Sequence, residues 1–263
     1  MRHALVKVPV SDIRAQGDFR SERLSQALFG SPLEVLEAGH DYSMIRQPDG
    51  YTGWMKTAHL EKISLRSWQT YRRQLSHVVK SPVVPIKIGG RWADPFRLYF
   101  GTQLVVTERK GLTFFSLPGG VNLPIRRSAL RDIAAPGSGR ITGGVLVRTA
   151  KRFIGVPYLW GGITPAGIDC SGLVQTVCLF HGVEVPRDSK DQGKCGFAVE
   201  RSELCLGDLL FFKGHVAVSC GSDEIIHASQ LRGLVAVESL NPQKPAYRRD
   251  LDKGFLFARR LEL

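Results

Sequence analysis

Residues 155–174 read GVPYLWGGITPAGIDCSGLV, and the interpretation of the C-terminal half of the chain starts from this stretch. Its glycine-rich first part favours turns, and its last part opens an apolar run with helical spacing. One cysteine, Cys170, stands where the turns give way to the helix, directly after Asp169. A side chain placed there points outward, so the pattern predicts a reactive thiol rather than a core residue.

Two features of this helix start favour ionisation of the Cys170 thiol. Asp169 is placed to cap the helix, and the first turn lies near the positive end of the helix dipole. A free thiol is only slightly ionised at neutral pH, so it needs a helix end and a nearby imidazolium to become a nucleophile. The sequence therefore predicts an exposed cysteine whose pKa is lowered.

The sequence around Cys170 predicts an α+β domain. Apolar positions at helical spacing occur in residues 145–155 and again from Cys170 to a stop at Gly182. Five strand-like runs follow: DLLFF (208–212), HVAVS (215–219), EIIHA (224–228), LVAVES (234–239) and FLFAR (255–259). Helices followed by consecutive strands are typical of helices packed on an antiparallel sheet.

Two histidines are placed to assist the thiol. His215 opens one strand, and Ala217 on the same face leaves space for a substrate. His227 ends the EIIH run and is expected on the neighbouring strand, where its ring can hydrogen-bond to His215 and hold its tautomer. The residues therefore indicate a Cys-His-His site.

The chain has four further cysteines, Cys178, Cys195, Cys205 and Cys220. We expect these to be small buried residues, as isolated cysteines usually are. Because the total of five is odd, at least one thiol stays free. The absence of C-x-x-C and of zinc-finger spacing predicts no metal site and no cofactor, and a free thiol fits a reducing compartment.

The N-terminal half predicts short strands. Residues 31–60 alternate apolar and polar positions around an Asp49-Gly50 turn, and residues 81–134 give β-prone runs punctuated by Gly and Pro. Residues 66–79, between them, are either a helix or a connector. The spacing of apolar residues in 20–30 predicts a short helix or turn within the first region.

Composition excludes several classes of protein. With 43% hydrophobic and 23% charged residues the chain is neither disordered nor membrane-spanning. The formal charge of +12 attracts anionic partners, but the arginines are scattered without a nucleic-acid motif, so we expect no nucleic-acid binding. No secretory signal is visible, which predicts a cytoplasmic location, or a secreted or periplasmic one if a leader was removed.

Six motifs occur in one order: PYLWGG (157–162), DCSG (169–172), VPRDSKDQ (185–192), GDLLFF (207–212), GHVAV (214–218) and IIHAS (225–229). Together they strongly resemble the NlpC family of bacterial cell-wall cysteine peptidases over residues 145–263. The resemblance implies a papain-like fold in which Cys170 is the nucleophile, His215 the general base and His227 the residue that orients the base. Leu206 stands where the family often has proline, a difference that should affect only a turn.

Residues 11–30 and 48–60 resemble the bacterial SH3-like domain of the murein-peptide-recycling branch of that family. The resemblance implies hydrolysis of the bond between γ-D-glutamate and a diamino acid, diaminopimelate or lysine, in murein-derived peptides with a free N-terminal L-alanine. It places Tyr158 near the reacting centre and Asp188 and Ser189 in substrate binding. Glu22 and Tyr51 are candidates for closing the pocket at the amine.

We therefore expect a papain-like α+β catalytic domain preceded by two small SH3-like β-barrels. The predicted segments are an SH3-like domain (1–65), a connector with a divergent second one (66–134), a linker (135–144) and the peptidase domain (145–263). Two alternatives stay open. One is a module that binds cell-wall peptide without cutting it, and the other is an amidase or acyltransferase using the same Cys-His-His site.

Overall fold

The computed structural model describes residues 2–88, 91–116, 122–133 and 141–263, with side chains except at 88 and 91–95. The chain forms two compact units, Met1–Ile133 and Ala134–Leu263. None of the helices within the described ranges is long and apolar enough to cross a membrane.

The first unit opens with a seven-stranded sheet. Its strands are β1 (His3–Val6), β2 (Val10–Arg14), β3 (Arg23–Leu28), β4 (Pro32–Glu37), β5 (Tyr42–Arg46), β6 (Thr52–Lys56) and β7 (Leu60–Ile63), in the order β3-β2-β6-β5-β4-β1-β7. A single 3-10 turn, Thr57–His59, connects β6 to β7. Alternating side chains such as Ile13, Ile45 and Met55 are fully buried in one apolar cluster, as the period of two predicts.

The prediction of a helix or turn within residues 20–30 is wrong, because Arg23–Leu28 forms strand β3. Four consecutive residues from Ser25 to Leu28 are buried, so the strand lacks the alternation that would identify it in the sequence. Antiparallel pairing with β2, in which Val10 lies opposite Leu28, overrides the apparent helical spacing.

The rest of the first unit begins with helix α1 (Leu65–Gln74). Of the two alternatives for residues 66–79, the helix is correct up to Gln74, but the last three residues form a strand. The side chain of Ser64 accepts a hydrogen bond from the Ser67 N–H and caps the helix. The strands that follow are β8 (His77–Val79), β9 (Val83–Ile88), β10 (Arg91–Tyr99), β11 (Gln103–Leu104), β12 (Val106–Arg109), β13 (Leu112–Ser116), β14 (Asn122–Pro124) and β15 (Leu130–Asp132). They pair as β10-β9, β11-β8-β15 and β12-β13-β14 around Leu98, Leu104 and Phe115.

In the second unit helices precede a six-stranded antiparallel sheet. Its elements are α2 (Gly143–Ala150), β16 (Ile163–Thr164), β17 (Gly167–Ile168), α3 (Cys170–Phe180), α4 (Ser189–Gln192), β18 (Phe197–Val199), β19 (Leu209–Phe212), β20 (His215–Gly221), β21 (Glu224–Ser229), β22 (Leu234–Ser239), α5 (Arg249–Gly254) and β23 (Phe257–Arg260). The sheet order is β18-β23-β19-β20-β21-β22.

This architecture confirms the α+β fold class, and all five predicted strand-like runs form strands β19 to β23. Strand β18 was not predicted; it is a three-residue edge strand whose side chains are largely exposed. The predicted linker lies mostly outside the described residues, and α2 begins at Gly143. The boundaries of the four predicted segments and a second SH3-like barrel stay predictions.

Helix α3 positions the candidate nucleophile. All of its eleven residues except Leu179 are buried, and it packs against α2 and against strands β20 and β21. Beyond its C-terminus Gly182 adopts a φ of 79°, a left-handed conformation that glycine tolerates and that ends the helix where the sequence predicts. Because the whole helix is held in the core, its first residue, Cys170, has a fixed place beside the sheet.

Candidate active site

A buried carboxylate organises the turn in front of Cys170. Asp169 accepts hydrogen bonds from the backbone N–H of Gly172 at 2.6 Å and of Gly161 at 2.8 Å. Arg187 donates to both of its oxygens, Nη1 to Oδ1 at 3.1 Å and Nη2 to Oδ2 at 2.6 Å. The two side chains are 7% and 1% exposed, so the pair is desolvated and its geometry is restrained.

The glycines around Cys170 are required by close backbone approach. A Cβ atom on Gly172 would lie 2.2 Å from the carbonyl oxygen of Gly162, closer than any real contact. Gly161 has a φ of 74°, and it is in this conformation that its N–H bonds to the Asp169 carboxylate. The glycines therefore let the turn pack against the first turn of α3.

The structure corrects the expectation of an exposed, acidic thiol. Cys170 is only 6% exposed. Burial, with the nearby charge of Asp169, raises the pKa of the Cys170 thiol to about 11, although the backbone N–H groups of Val216 and Ser171 and the charge of Arg187 act in the opposite direction. Desolvation of the thiol thus outweighs the hydrogen bonds and the charge that favour its thiolate. The contact with Val216 places the thiol beside the strand that His215 begins.

The two predicted histidines lie on neighbouring strands and form a hydrogen-bonded pair. His215 Nε2 lies 2.7 Å from His227 Nδ1, and the rings meet edge to face with centroids 4.9 Å apart. This bond occupies one nitrogen of the His215 ring and leaves Nδ1 as the nitrogen that can take a proton from a thiol.

Burial also changes the proton affinity of His215. Burial, followed by the positive charges of His227 and Arg248, lowers the pKa of His215 to about 3, against the opposing charges of Glu238 and Asp250. Burial therefore disfavours the charged form of both the Cys170 thiol and the His215 imidazole.

Two residues not predicted from the sequence, Glu238 and Arg248, extend the hydrogen-bonded histidine pair. His227 Nε2 lies 2.6 Å from Glu238 Oε2, and Arg248 Nη1 lies 2.5 Å from the same oxygen. Glu238 is 4% exposed. An acidic residue inside the apolar run LVAVES, next in sequence to the strand that carries His227, was the signal that could have revealed it.

The predicted substrate-binding residues of the second unit lie at two places. Tyr158 is half-buried, and burial, followed by the charges of Cys170 and Asp169, raises the pKa of its phenol, so the phenol is within electrostatic range of the thiol. Asp188 is exposed and directly precedes α4, whose first residue is Ser189, but its side chain makes no capping hydrogen bond to that helix. Arg187, which holds Asp169, is the residue before it.

Glu22 and Tyr51 belong to the first unit. Glu22 is exposed just before β3, and Tyr51 is partly buried at the turn before β6, where its N–H bonds to Asp49. Their predicted contact with a substrate amine stays a prediction.

The remaining cysteines differ from expectation. All five cysteines are free thiols. Cys178 is buried as predicted, but Cys205 is exposed and Cys195 and Cys220 are partly exposed, because they lie in or next to surface turns rather than in the core. In the ranges that the structure describes, no group of three or more His, Cys, Asp or Glu side chains is placed to hold a metal ion. The expectation that no cofactor is needed stays a prediction.

A cysteine at the start of a helix, packed on an antiparallel sheet that carries a hydrogen-bonded histidine pair, defines a papain-like cysteine peptidase. The model of the NlpC/P60 family matches residues 155–250, and that of the bacterial dipeptidyl-peptidase SH3 domain matches residues 13–60. The first unit thus contains an SH3-like domain.

Curated relatives extend over both units. The gamma-D-glutamyl-L-lysine dipeptidyl-peptidase of Bacillus subtilis is 30% identical over 260 residues, covering 86% of this chain and 78% of the relative. Dipeptidyl-peptidase 6 of Lysinibacillus sphaericus is 28% identical and covers 95% of this chain and 96% of its own. The crystal structure of an NlpC/P60 family protein from Bacillus cereus has the same fold, with a TM-score of 0.84 at 24% identity over 98% of this chain and 99% of that one. The chain belongs to the NlpC/P60 family.

Removing Arg187 should destabilise the second unit strongly. Arg187→Ala leaves the Asp169 carboxylate buried without its partner, and breaking a buried pair in this way costs about 3–5 kcal/mol of unfolding free energy. The measurement is urea unfolding at pH 7. Lys194→Ala, which breaks the exposed pair with Asp191, is the matched control and should leave the unfolding midpoint unchanged. Equal stability of the two variants would contradict the structural role of the buried pair.

The lowered pKa of His215 should make stability depend on pH. In the unfolded chain the imidazole takes up a proton below its ordinary pKa of 6.5, but in the folded protein only near 3. The stabilising effect is complete above pH 6.5 and is lost progressively as the pH falls towards 3. Between pH 7 and pH 5 the wild type should lose about 1–2 kcal/mol more unfolding free energy than His215→Gln.

Urea unfolding at the two pH values tests this. His40→Gln, which removes an almost fully exposed histidine, is the control and should lose as much as the wild type. If His215→Gln also loses as much as the wild type, the histidine is not held neutral by the fold.

Proposed function

We propose that this cysteine peptidase hydrolyses peptidoglycan-derived peptides at the bond between γ-D-glutamate and a diamino acid, with Cys170 as nucleophile. The observation that carries the proposal is the position of Cys170 at the start of α3, against the backbone of Val216 and hence next to the His215–His227 pair. The name of the Bacillus subtilis relative, which specifies a γ-D-glutamyl-L-lysine substrate, supports the choice of bond.

The chemistry begins from the neutral pair. The Cys170 thiol transfers its proton to Nδ1 of His215 as the sulfur attacks the γ-D-glutamyl carbonyl carbon, which forms a tetrahedral oxyanion. When the oxyanion collapses, the C–N bond breaks and the imidazolium gives its proton to the leaving amine of the diamino acid. Water, deprotonated by His215, then hydrolyses the thioester, which releases the glutamyl carboxylate and restores the thiol.

The remaining site residues have separate roles in this scheme. His227 keeps the His215 ring oriented and hydrogen-bonded on its far nitrogen. The backbone N–H of Cys170, at the first helical position, has no intrahelical acceptor and is a donor for the oxyanion. Tyr158 lies within electrostatic range of the thiol, which supports contact with the reacting group.

The amine end of the peptide is proposed to bind Asp188, with Ser189 beside it. A free ammonium is recognised best by a carboxylate, and Asp188 presents an exposed one directly before α4. Glu22 and Tyr51 of the first unit remain candidates for the same end of the substrate. The residue after glutamate, diaminopimelate or lysine, stays open, and the cytoplasmic location stays a prediction.

Replacing the nucleophile should abolish the reaction. Cys170→Ala should release no diamino acid from L-Ala-γ-D-Glu-diaminopimelate or from the lysine analogue, because no thioester can form. Cys205→Ala removes an exposed thiol and should turn over at the wild-type rate. Product masses after incubation give the measurement. Undiminished turnover by Cys170→Ala would reject the proposal.

Blocking the peptide amine should also reduce cleavage. N-acetylation removes the positive charge that a carboxylate binds, and kcat/KM should fall by about 100-fold, the effect expected when a charge-assisted contact is lost and a polar group is left unpaired. Asp188→Asn should lower kcat/KM for the free peptide but change the value for the acetylated peptide little.

Asp191→Asn alters a second aspartate in the same segment, one that pairs with Lys194, and is the matched control. Equal kcat/KM for the free and acetylated peptides would contradict amine recognition. The same product analysis distinguishes hydrolysis from transfer, since an acyltransferase would give a conjugate of the added amine instead of the free glutamyl acid.

A further inference from the structure

The histidine pair is the beginning of a longer row of side chains that crosses three neighbouring strands. Ser219 of β20 lies opposite Ile225 of β21, which lies opposite Glu238 of β22. His215 is four residues from Ser219 and His227 is two from Ile225, so both histidines share one sheet face with Glu238. The row therefore runs diagonally across the sheet, with hydrogen-bonded distances of 2.7 and 2.6 Å between successive members.

Hydrogen-bond direction along this row is decided at Glu238. An ionised carboxylate only accepts hydrogen bonds, so the His227 Nε2 that meets it must carry a proton. A neutral His227 then has an unprotonated Nδ1, which accepts from Nε2–H of His215. A neutral His215 protonated at Nε2 has its lone pair at Nδ1, the nitrogen that a base needs towards the thiol.

Glu238 is held ionised by its surroundings. Burial raises the pKa of the Glu238 carboxyl, but the hydrogen bonds from His227 and Arg248, together with the charge of Arg248, outweigh burial and hold that pKa below its ordinary value. Arg248 is itself anchored, because its N–H bonds to the carbonyl of Ser239 and its guanidinium bonds to Asp250 at 2.6 Å. Glu238 is therefore not an incidental core carboxylate.

We propose that Glu238, fixed by Arg248, is a positioning residue that sets the tautomers of His227 and His215 and so makes Nδ1 of His215 the base. This inference rests on the proposed function for its kinetic consequence only. The tautomers themselves belong to the free protein.

The test uses the full chain labelled with nitrogen-15 at histidine. In the wild type, long-range proton–nitrogen spectra should show the proton of His227 on Nε2 and that of His215 on Nε2. Glu238→Gln keeps the size of the side chain but replaces a charged acceptor by a neutral one, so the His227 Nε2–H resonance should move upfield as its hydrogen bond weakens. A proton on Nδ1 of His227 in the wild type would overturn the proposal.

Kinetics provide the second readout. Glu238→Gln should lower kcat for the cleaved peptide by about tenfold or more, as expected for a poorly oriented base, with KM changed by less than about twofold. The matched control is Glu224→Gln, which makes the same change on the neighbouring strand β21 in an exposed pair with Lys244 and should leave kcat and both histidine spectra unchanged. An unchanged kcat in Glu238→Gln, or a fall in kcat with no movement of the His227 resonance, also contradicts the proposal.

Failure of the tautomer proposal can be distinguished from failure of the variant to fold and from failure of the proposed function. If Glu238→Gln does not fold, the wild-type spectrum alone decides the tautomers. If no murein peptide is cleaved by the wild type, the proposed function fails, whereas the spectra still report whether Glu238 sets the histidine tautomers.

Discussion

The buried ion pair of Asp169 and Arg187 is the interaction on which the rest of the site depends. The carboxylate accepts five hydrogen bonds, from the backbone of Gly161 and Gly172, from the Ser171 hydroxyl and twice from Arg187. It thereby joins the preceding turn, the first turn of α3 and the segment before α4. Since Cys170 is the next residue, its backbone position is fixed by a carboxylate whose hydrogen-bonding capacity is used up. A charge with fewer partners at this depth would destabilise the fold.

Burial also shifts the pKa values of the Cys170 thiol and the His215 imidazole. It raises the pKa of Cys170 and lowers that of His215, so each group alone favours its neutral form. Proton transfer accompanies attack on the carbonyl, when charge develops on the substrate oxygen and preorganised N–H groups can stabilise it. The backbone hydrogen bonds of Val216 and Ser171 and the charge of Arg187 favour the thiolate but do not offset desolvation of the sulfur.

The sequence predicted those features that local patterns encode. The cysteine after a capping aspartate and the two histidines on neighbouring strands lay where expected. Features that depend on tertiary pairing were not predictable in the same way. Strand β3 has no alternation because both of its faces are covered, and the exposure of Cys170 depends on packing of the whole helix against the sheet. Glu238 was missed because its role appears only when β22 is known to lie beside β21.

The candidate nucleophile and the candidate base are each held in place by a carboxylate paired with an arginine, one pair at the helix start and the other on the sheet. At the helix start Asp169 orients the backbone around Cys170, and Arg187 opposes the effect of that negative charge on the thiol pKa. On the sheet Glu238 orients the histidines, and Arg248 opposes its effect on the pKa of His215. Without Arg187, the negative charge of Asp169 would make the Cys170 thiolate still harder to form. Without Arg248, the negative charge of Glu238 would stabilise a protonated histidine in the resting site. Pairing each carboxylate with an arginine keeps its directional hydrogen bonds while reducing the effect of its charge at longer range. The thiol and the imidazole are therefore oriented, but the proton is not held permanently on either of them.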